Sequence, residues 1–176
     1  MNGYPIIFTF NEVIIVKKGF KAYVSTIKGR GQALLVKDNG KYWLNGVQPG
    51  GMSDGGDTLK EALINFRIAF RNILSDIEGF SRNYLDFRNR ATSFFNDIDE
   101  EELRLWEEAR KELRAGKILP PEDISIFKKE TNELNSYINI SLIGRFIRIK
   151  SYNNDIITAE INKEDSNSQS EFLAAA

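Results

Sequence analysis

The residue types around a glycine-rich segment, 46–56, are those that could bind phosphate or metal ions. Gly51 and Gly56 are separated by four residues, which is the spacing of a phosphate-binding loop. Asp57 follows where such a loop requires a lysine, so we favour a tight turn between a strand and a helix. Three aspartates are the candidate metal ligands of a hydrolase, although each occupies a turn position that favours aspartate for backbone reasons: Asp38, Asp54 and Asp57.

Two residue types that most catalytic sites need are missing, because the chain has no histidine and no cysteine. Imidazole acid–base chemistry, Ser-His-Asp triads, thiol nucleophiles, disulfides and the usual zinc ligands are therefore excluded. We expect a protein that is not an enzyme and that has no cofactor and no metal site. A metal-dependent nuclease of the ribonuclease H type, built on the three aspartates, is the minor alternative.

The overall composition is that of a soluble globular protein, with 41% hydrophobic and 28% charged residues in a chain of 176. The formal net charge of −1 argues against nucleic acid or an anionic membrane as the main partner. The first apolar segment, 5–16, is interrupted by Asn11 and Glu12, which is unlike a signal peptide or a membrane span. We therefore expect a cytoplasmic protein.

Residues 57–79 have the pattern of an amphipathic helix that packs against a sheet. Thr58 and Glu61 form the sequence signature of a capping box, and Gly79 is suited to the end of the helix. Ile64 and Ile68 lie opposite the main apolar stripe, so either another layer of this chain covers them or they form a dimer or partner surface. The main stripe has three- and four-residue spacing: Leu59, Ala62, Leu63, Phe66, Ala69, Phe70, Ile73, Leu74 and Ile77.

The segments before this helix predict an antiparallel sheet. We expect one bent strand or a hairpin over 5–16 and strands over 20–27, 32–37 and 41–47, with turns at 17–19 and 28–31. Asn39-Gly40 is the strongest short hairpin signal and predicts that the last two strands pair. Trp43 either packs in the core or anchors an interface.

Two further helices are predicted after Gly79, over 80–96 and 100–115. The first has an aromatic stripe: Phe80, Tyr84, Phe87, Ala91, Phe94 and Phe95. The second begins with Asp99 and Glu102, ends at Gly116, and has a thin apolar stripe of Leu103, Trp106 and Leu113. Its acidic residues indicate either a solvated face or a surface for a basic partner. The residues predicted to contact a partner are Trp43, Ile64, Ile68, Glu100, Glu101, Trp106, Glu107 and Glu108.

The remaining segments predict that C-terminal strands complete the same domain. Two prolines, at 120 and 121, mark a linker before a short helix over 121–134. A strand follows over 137–150, with a bulge near Gly144, and a last strand over 156–161. The predicted organisation is strands and core helix over 1–78, a helical insertion over 79–118, short helix and strands over 119–162, and a disordered tail over 163–176.

The segment from Gly40 to Glu78 resembles the antitoxins of the HicB family, which carry an aromatic strand, a turn ending in Gly-Asp-Thr and a helix of this periodicity. The resemblance implies an α+β fold like a partial ribonuclease H sheet, packed against a long helix. It also implies a bacterial homodimer that binds and blocks a small basic ribonuclease toxin. The alternative is a stand-alone structural or regulatory subunit without a toxin. The matching residues are Gly56, Asp57, Thr58, Leu59, Glu61, Ala62 and Leu63.

Overall fold

The computed structural model describes residues 3–119, 121, 126–127, 135–150, 155–161 and 172–175. These residues form an α+β fold in which an antiparallel sheet packs against a long helix, as predicted. The elements are β1 (Gly3–Lys18), β2 (Lys21–Asp38), β3 (Lys41–Gln48), β4 (Ser53–Gly56), α1 (Leu59–Phe80), α2 (Tyr84–Asn96), α3 (Glu100–Arg114), β5 (Ile126–Phe127), β6 (Tyr137–Lys150), β7 (Asp155–Ile161) and β8 (Phe172–Ala175).

The sheet is organised around β2, the longest strand. Along one edge β2 pairs with β1 over almost its whole length. Along the other edge its first half pairs with β6, and its second half pairs with β3. The short β4 continues the sheet beyond β3, β7 continues it beyond β6, and β8 and β5 follow beyond β1.

The predicted turn at 28–31 is wrong, because these residues lie within β2. Its two glycines are opposite aromatic residues of β1, in the register pairs Phe8–Gly31 and Phe10–Gly29. A side chain at either glycine would collide with the phenylalanine ring that lies over it. Glycine therefore serves here as a platform for aromatic packing rather than as a turn residue.

Of the two alternatives for 5–16, a single strand is confirmed and a hairpin at Asn11-Glu12 is wrong, since β1 is continuous. Glu12 points inward and is only 3% exposed. The Arg71 Nε donates to its Oε2 at 2.6 Å, and the Arg67 Nε lies 3.5 Å from its Oε1. The two arginines balance the charge of a carboxylate that would otherwise end the strand.

The hairpin predicted from Asn39-Gly40 is confirmed. β2 and β3 pair in register from Ala33–Gly46 to Asp38–Lys41, and both turn residues have positive φ. The glycine-rich segment that follows is more than a turn, because Ser53–Gly56 forms β4 against β3.

Helix α1 begins as predicted and forms most of one core layer. Thr58 Oγ1 accepts from the Glu61 N–H, and the Glu61 carboxylate accepts from the Thr58 N–H. The helix ends one residue later than predicted, at Phe80, and Gly79 does not adopt a left-handed conformation. Its buried stripe packs on the aromatic side chains of β1, with ring centroids 5.3 Å apart for Phe8 and Phe66.

Helix α2 packs on the same face of the sheet as α1, but it begins at Tyr84 rather than at residue 80. Asn83 caps it by accepting from the Asp86 N–H. Phe80 therefore belongs to the end of α1 and is 77% exposed, so it is not part of the aromatic stripe. The stripe is otherwise present, with Phe87, Ala91 and Phe95 fully buried.

Helix α3 lies on the opposite face of the sheet, which gives the molecule three layers. The segment joining α2 to α3 crosses the sheet at the loop after β3, where the Asp99 N–H donates to the Val47 carbonyl and the Gly50 N–H donates to the Asp97 carbonyl. A second apolar cluster fills the space beneath α3: Ile7, Leu34, Val36, Val47, Trp106 and Ala109.

The C-terminal predictions are only partly confirmed. The bulge in β6 is present, because Val24 pairs with Gly144 whereas Ser25 pairs with Leu142, which leaves one extra residue on β6. Two residues of the predicted helix over 121–134 form strand β5 instead. Part of the predicted disordered tail forms β8 beside β1. Apart from residue 121, which is in neither a helix nor a strand, the other residues of those two segments lie outside the described parts of the chain.

Candidate protein-binding surface

The structure corrects one predicted contact residue, because Trp106 is a core residue. Its side chain is 2% exposed, and its indole Nε1–H donates to the Ile6 carbonyl of β1 at 3.2 Å. Its position in the middle of the sheet-facing stripe of α3 explains this burial. That stripe has four- and three-residue spacing: Glu102, Trp106, Ala109 and Leu113.

The two isoleucines of α1 are accessible, with Ile64 47% and Ile68 48% exposed. The interpretation that another layer of this chain covers them is therefore wrong for the described residues. Both lie on the outer side of α1, on the opposite layer from α3. The structure thus separates these two predicted contact residues from the acidic helix.

The predicted acidic contact residues lie on two different flanks of α3. Glu101 and Glu108 share one flank with Leu105, since they are four and three residues apart. Glu100 and Glu107 lie on the other flank, which also has basic residues: Arg104, Lys111 and Arg114. These four glutamates therefore do not share one face of α3.

A groove of about 390 Å³ lies between the sheet and the flank of α3 that carries Leu105 and Glu108. Its floor is apolar, and three carboxylates line it: Glu102, Glu108 and Glu112. Sequence reasoning found Glu108 but missed Glu102 and Glu112. The missed signal was the spacing of α3, which places Glu112 four residues after Glu108 and Glu102 in the sheet-facing stripe. The other lining residues come from β1, β2, β3 and α3: Gly3, Leu34, Val36, Asn45, Leu105 and Ala109.

Glu102 is the innermost of these carboxylates, and two consecutive hydrogen bonds fix its side chain. The Asn45 Nδ2 donates to Glu102 Oε1 at 3.0 Å, and the Ser53 hydroxyl donates to Asn45 Oδ1 at 2.7 Å. Its other oxygen, Oε2, is buried and has no hydrogen-bond partner in the described part of the chain. Helix α3 begins at Asp99 and Glu102 as predicted, and the Asp99 carboxylate caps it by accepting from the Glu101 and Glu102 N–H groups.

Burial raises the pKa of the Glu102 carboxyl above its ordinary value. The hydrogen bond from Asn45 lowers this pKa, while the nearby charges of Asp99 and Glu101 raise it further. A carboxylate in this position is short of compensating positive charge. The groove consequently has the electrostatic character of a site for a cation.

Trp43 lies on the same face of the sheet as this groove. It is directly opposite Val36 in the β2–β3 register, and directly opposite residues point to the same face. Its ring lies over Gly55 of β4, where an added Cβ would come within 2.8 Å of ring atoms. With 42% of its surface exposed, Trp43 is not a core residue but an accessible aromatic side chain near the groove.

The second flank of α3 differs in charge. The Arg110 guanidinium lies 5.6 Å from the centroid of the Trp106 ring. Burial lowers the pKa of Arg110, and the charge of Arg114 lowers it further. Helix α3 thus has an acidic flank beside the groove and a flank of mixed charge on its other side.

The three aspartates considered as metal ligands do not converge. Asp38 accepts from the adjacent Asn39 amide, Asp54 accepts from the adjacent Gly55 N–H, and Asp57 forms an exposed ion pair with Lys41 at 3.3 Å. No group of three or more carboxylates suited to a metal ion occurs among the described residues. The start of α1 is likewise occupied by its own capping box rather than arranged around a phosphate.

Comparisons with known proteins found no matching family model, no matching curated protein and no matching solved structure. Within the residues that the structure describes, no helix is both long and apolar enough to cross a membrane.

Proposed function

We propose that this chain is a non-enzymatic HicB-like protein that binds a small basic protein and neutralises it by covering its active surface. The observation that carries the proposal is the groove between α3 and the sheet, where Glu102, Glu108 and Glu112 surround an apolar floor. The active surface of a ribonuclease is basic because it binds the RNA backbone. An acidic groove with an accessible tryptophan beside it is complementary to such a surface.

The HicB-like part of the proposal is supported by the segment that suggested it. The residues from Gly56 to Leu63 form the end of β4, the capped start of α1 and its first packed turn. Ile64 and Ile68 lie on the other layer, so a homodimer contact through α1 would leave the groove free. In this proposal the protein acts in the bacterial cytoplasm as one component of a toxin–antitoxin pair.

The experiment is affinity capture with a tagged chain from an extract of the native cells at low salt, followed by a functional assay. We expect to recover a stoichiometric basic protein of small size. After separation under denaturing conditions and refolding, this partner should cleave RNA, and adding back the purified chain should inhibit the cleavage. Raising the salt concentration should weaken the complex, because screening reduces charge complementarity.

Three results would contradict the proposal. The recovered protein would be the wrong class of partner if it did not cleave RNA, or if the chain did not inhibit it. A complex whose affinity is unchanged between low and high salt would exclude the acidic groove as the main docking surface. Capture of the chain alone, or of a large assembly, would favour the second candidate.

The second candidate is a stand-alone structural or regulatory subunit with this fold and no toxin. The observation that favours it is the role of the inserted helices. α2 completes the core beside α1, and α3 covers the second face of the sheet. Helices that complete a core are needed for folding whether or not a partner binds.

A further inference from the structure

We infer that the groove between α3 and the sheet takes one arginine side chain of the protein partner. This inference deepens the proposed function and rests on it. The groove is small, since its volume of about 390 Å³ is at the low end of the range for ligand pockets. A site of this size suits one long side chain rather than a helix or strand of the partner.

Glu102, which lines the groove, accepts a hydrogen bond at only one of its two carboxylate oxygens in the described part of the chain. Asn45 holds Glu102 Oε1 in place, while Glu102 Oε2 is buried without a hydrogen-bond partner among the described residues. Since Oε2 itself has almost no accessible surface, a guanidinium in the groove would act on Glu102 through its positive charge, which reduces the cost of a partly buried carboxylate. The two hydrogen bonds through Asn45 and Ser53 mean that Glu102 is already oriented before a ligand arrives.

Arginine fits this arrangement better than lysine does. Its aliphatic stem can lie on the apolar floor formed by Leu34, Val36 and Leu105. Its planar guanidinium presents N–H groups in two directions, so that one edge can reach Glu102 while another reaches a carboxylate at the rim. The single ammonium of lysine would interact with only one end of the groove.

The rim carboxylates can change partners at little cost. Glu108 is paired with Arg104 at 2.8 Å, but both side chains are more than half exposed. Exposed pairs of this kind contribute little to stability. Glu112 has an exposed side chain on the same flank, four residues further along α3. An incoming guanidinium can therefore replace or share these contacts.

The test is a titration of the full chain with a hexa-arginine peptide at low salt, followed by NMR of the leucine, valine and isoleucine methyl groups. We expect saturable shifts at the floor residues Leu34, Val36 and Leu105, with unchanged signals from Ile64 and Ile68 on α1. The variant Glu102→Gln/Glu112→Gln should weaken binding by roughly ten-fold or more, as the loss of charge-assisted hydrogen bonds predicts. The matched variant Glu100→Gln/Glu107→Gln removes the same charge from the other flank and should change the affinity less than about two-fold.

Three results would overturn the inference: shifts that map to α1 or spread over the surface, equal weakening in both double variants, or equal affinity for a hexa-lysine peptide. The unbound methyl spectra show whether each variant remains folded. Failure here is distinguishable from failure of the proposed function. If a ribonuclease partner is captured and inhibited but the groove variants bind it normally, only the arginine site is wrong. If the peptide binds the groove but no ribonuclease is found, only the toxin-neutralising function is wrong.

Discussion

The two faces of the sheet are built differently. The face under α1 and α2 is a continuous aromatic core, in which the Phe10 ring lies 4.7 Å from Phe70 and 5.4 Å from Phe95. The face under α3 has a smaller apolar cluster and a groove beside it that is rimmed by carboxylates. One face thus supplies most of the apolar burial, and the other has polar groups placed against an open space. We therefore expect mutations in the first face to change stability and mutations beside the groove to change the proposed recognition.

The largest effect should come from the aromatic core. Phe66→Ala removes a fully buried ring, and we expect a loss of about 3–5 kcal/mol in the free energy of unfolding. Urea denaturation followed by circular dichroism measures this change. Phe80→Ala is the matched control, because Phe80 is on the same helix but 77% exposed, and its effect should be below about 0.5 kcal/mol. Equal losses in the two variants would contradict the assignment of the core to this face.

The second effect tests how α3 is attached. Trp106→Phe leaves the Ile6 carbonyl without the indole donor, and we expect a loss of about 1–3 kcal/mol. Hydrogen exchange should accelerate in α3 more than in α1, because only α3 depends on this contact. Trp43→Phe is the control and should have little effect on exchange, since the Trp43 ring is partly exposed. A faster exchange in α1 than in α3 would show that the two layers do not respond separately.

The third prediction tests whether the buried Glu12 carboxylate affects only the face of the sheet under α1 and α2. Glu12→Gln removes the carboxylate that Arg67 and Arg71 share. We expect a loss of about 1–2 kcal/mol, less than for a fully buried pair because both arginines are partly exposed. A double-mutant cycle with Arg71→Gln measures the coupling. Binding of the arginine peptide should be unchanged, and a weakened affinity would link the two faces.

The smallest predicted effect is a pH-dependent change in the free energy of unfolding, caused by Glu102. The folded-state pKa of Glu102 is raised, so its stabilising contribution is present below its unfolded-state pKa and is lost as the pH rises through the folded-state pKa. Glu102→Gln should therefore be more stable than the wild type at neutral pH, by less than about 1 kcal/mol, and this advantage should disappear in acid. Urea unfolding at pH 4 and at pH 7.5 tests it. A difference that does not change with pH would contradict the burial of this carboxyl.

Local signals in the sequence predicted the elements whose causes are local. The capping box at Thr58, the hairpin at Asn39-Gly40 and the stop at Gly116 each depend on neighbouring residues, and the structure has all three. Gly29 and Gly31 misled the prediction because the reason for glycine there is an aromatic ring on the paired strand. Such a reason is visible only when the register is known.

The candidate site was less predictable because it depends on how α3 crosses the sheet. Trp106 and Glu108 are two residues apart in the sequence, yet one is buried in the core and the other lines the groove. The sequence placed Glu102 only at the start of α3, whereas its side chain accepts a hydrogen bond from Asn45 of β3. A charge pattern along a helix cannot show which flank meets a sheet.

Hydrogen exchange of the chain with and without its captured protein partner tests most directly whether the partner binds the face of the sheet under α3. We predict slower exchange in β3, Lys41–Gln48, and in α3, Glu100–Arg114, because the partner covers the groove and Trp43. Exchange in α1, Leu59–Phe80, should not change relative to the free protein. Protection confined to α1, with β3 and α3 unaffected, would show that the partner binds the face under α1 and α2 and would contradict binding in the groove beside α3.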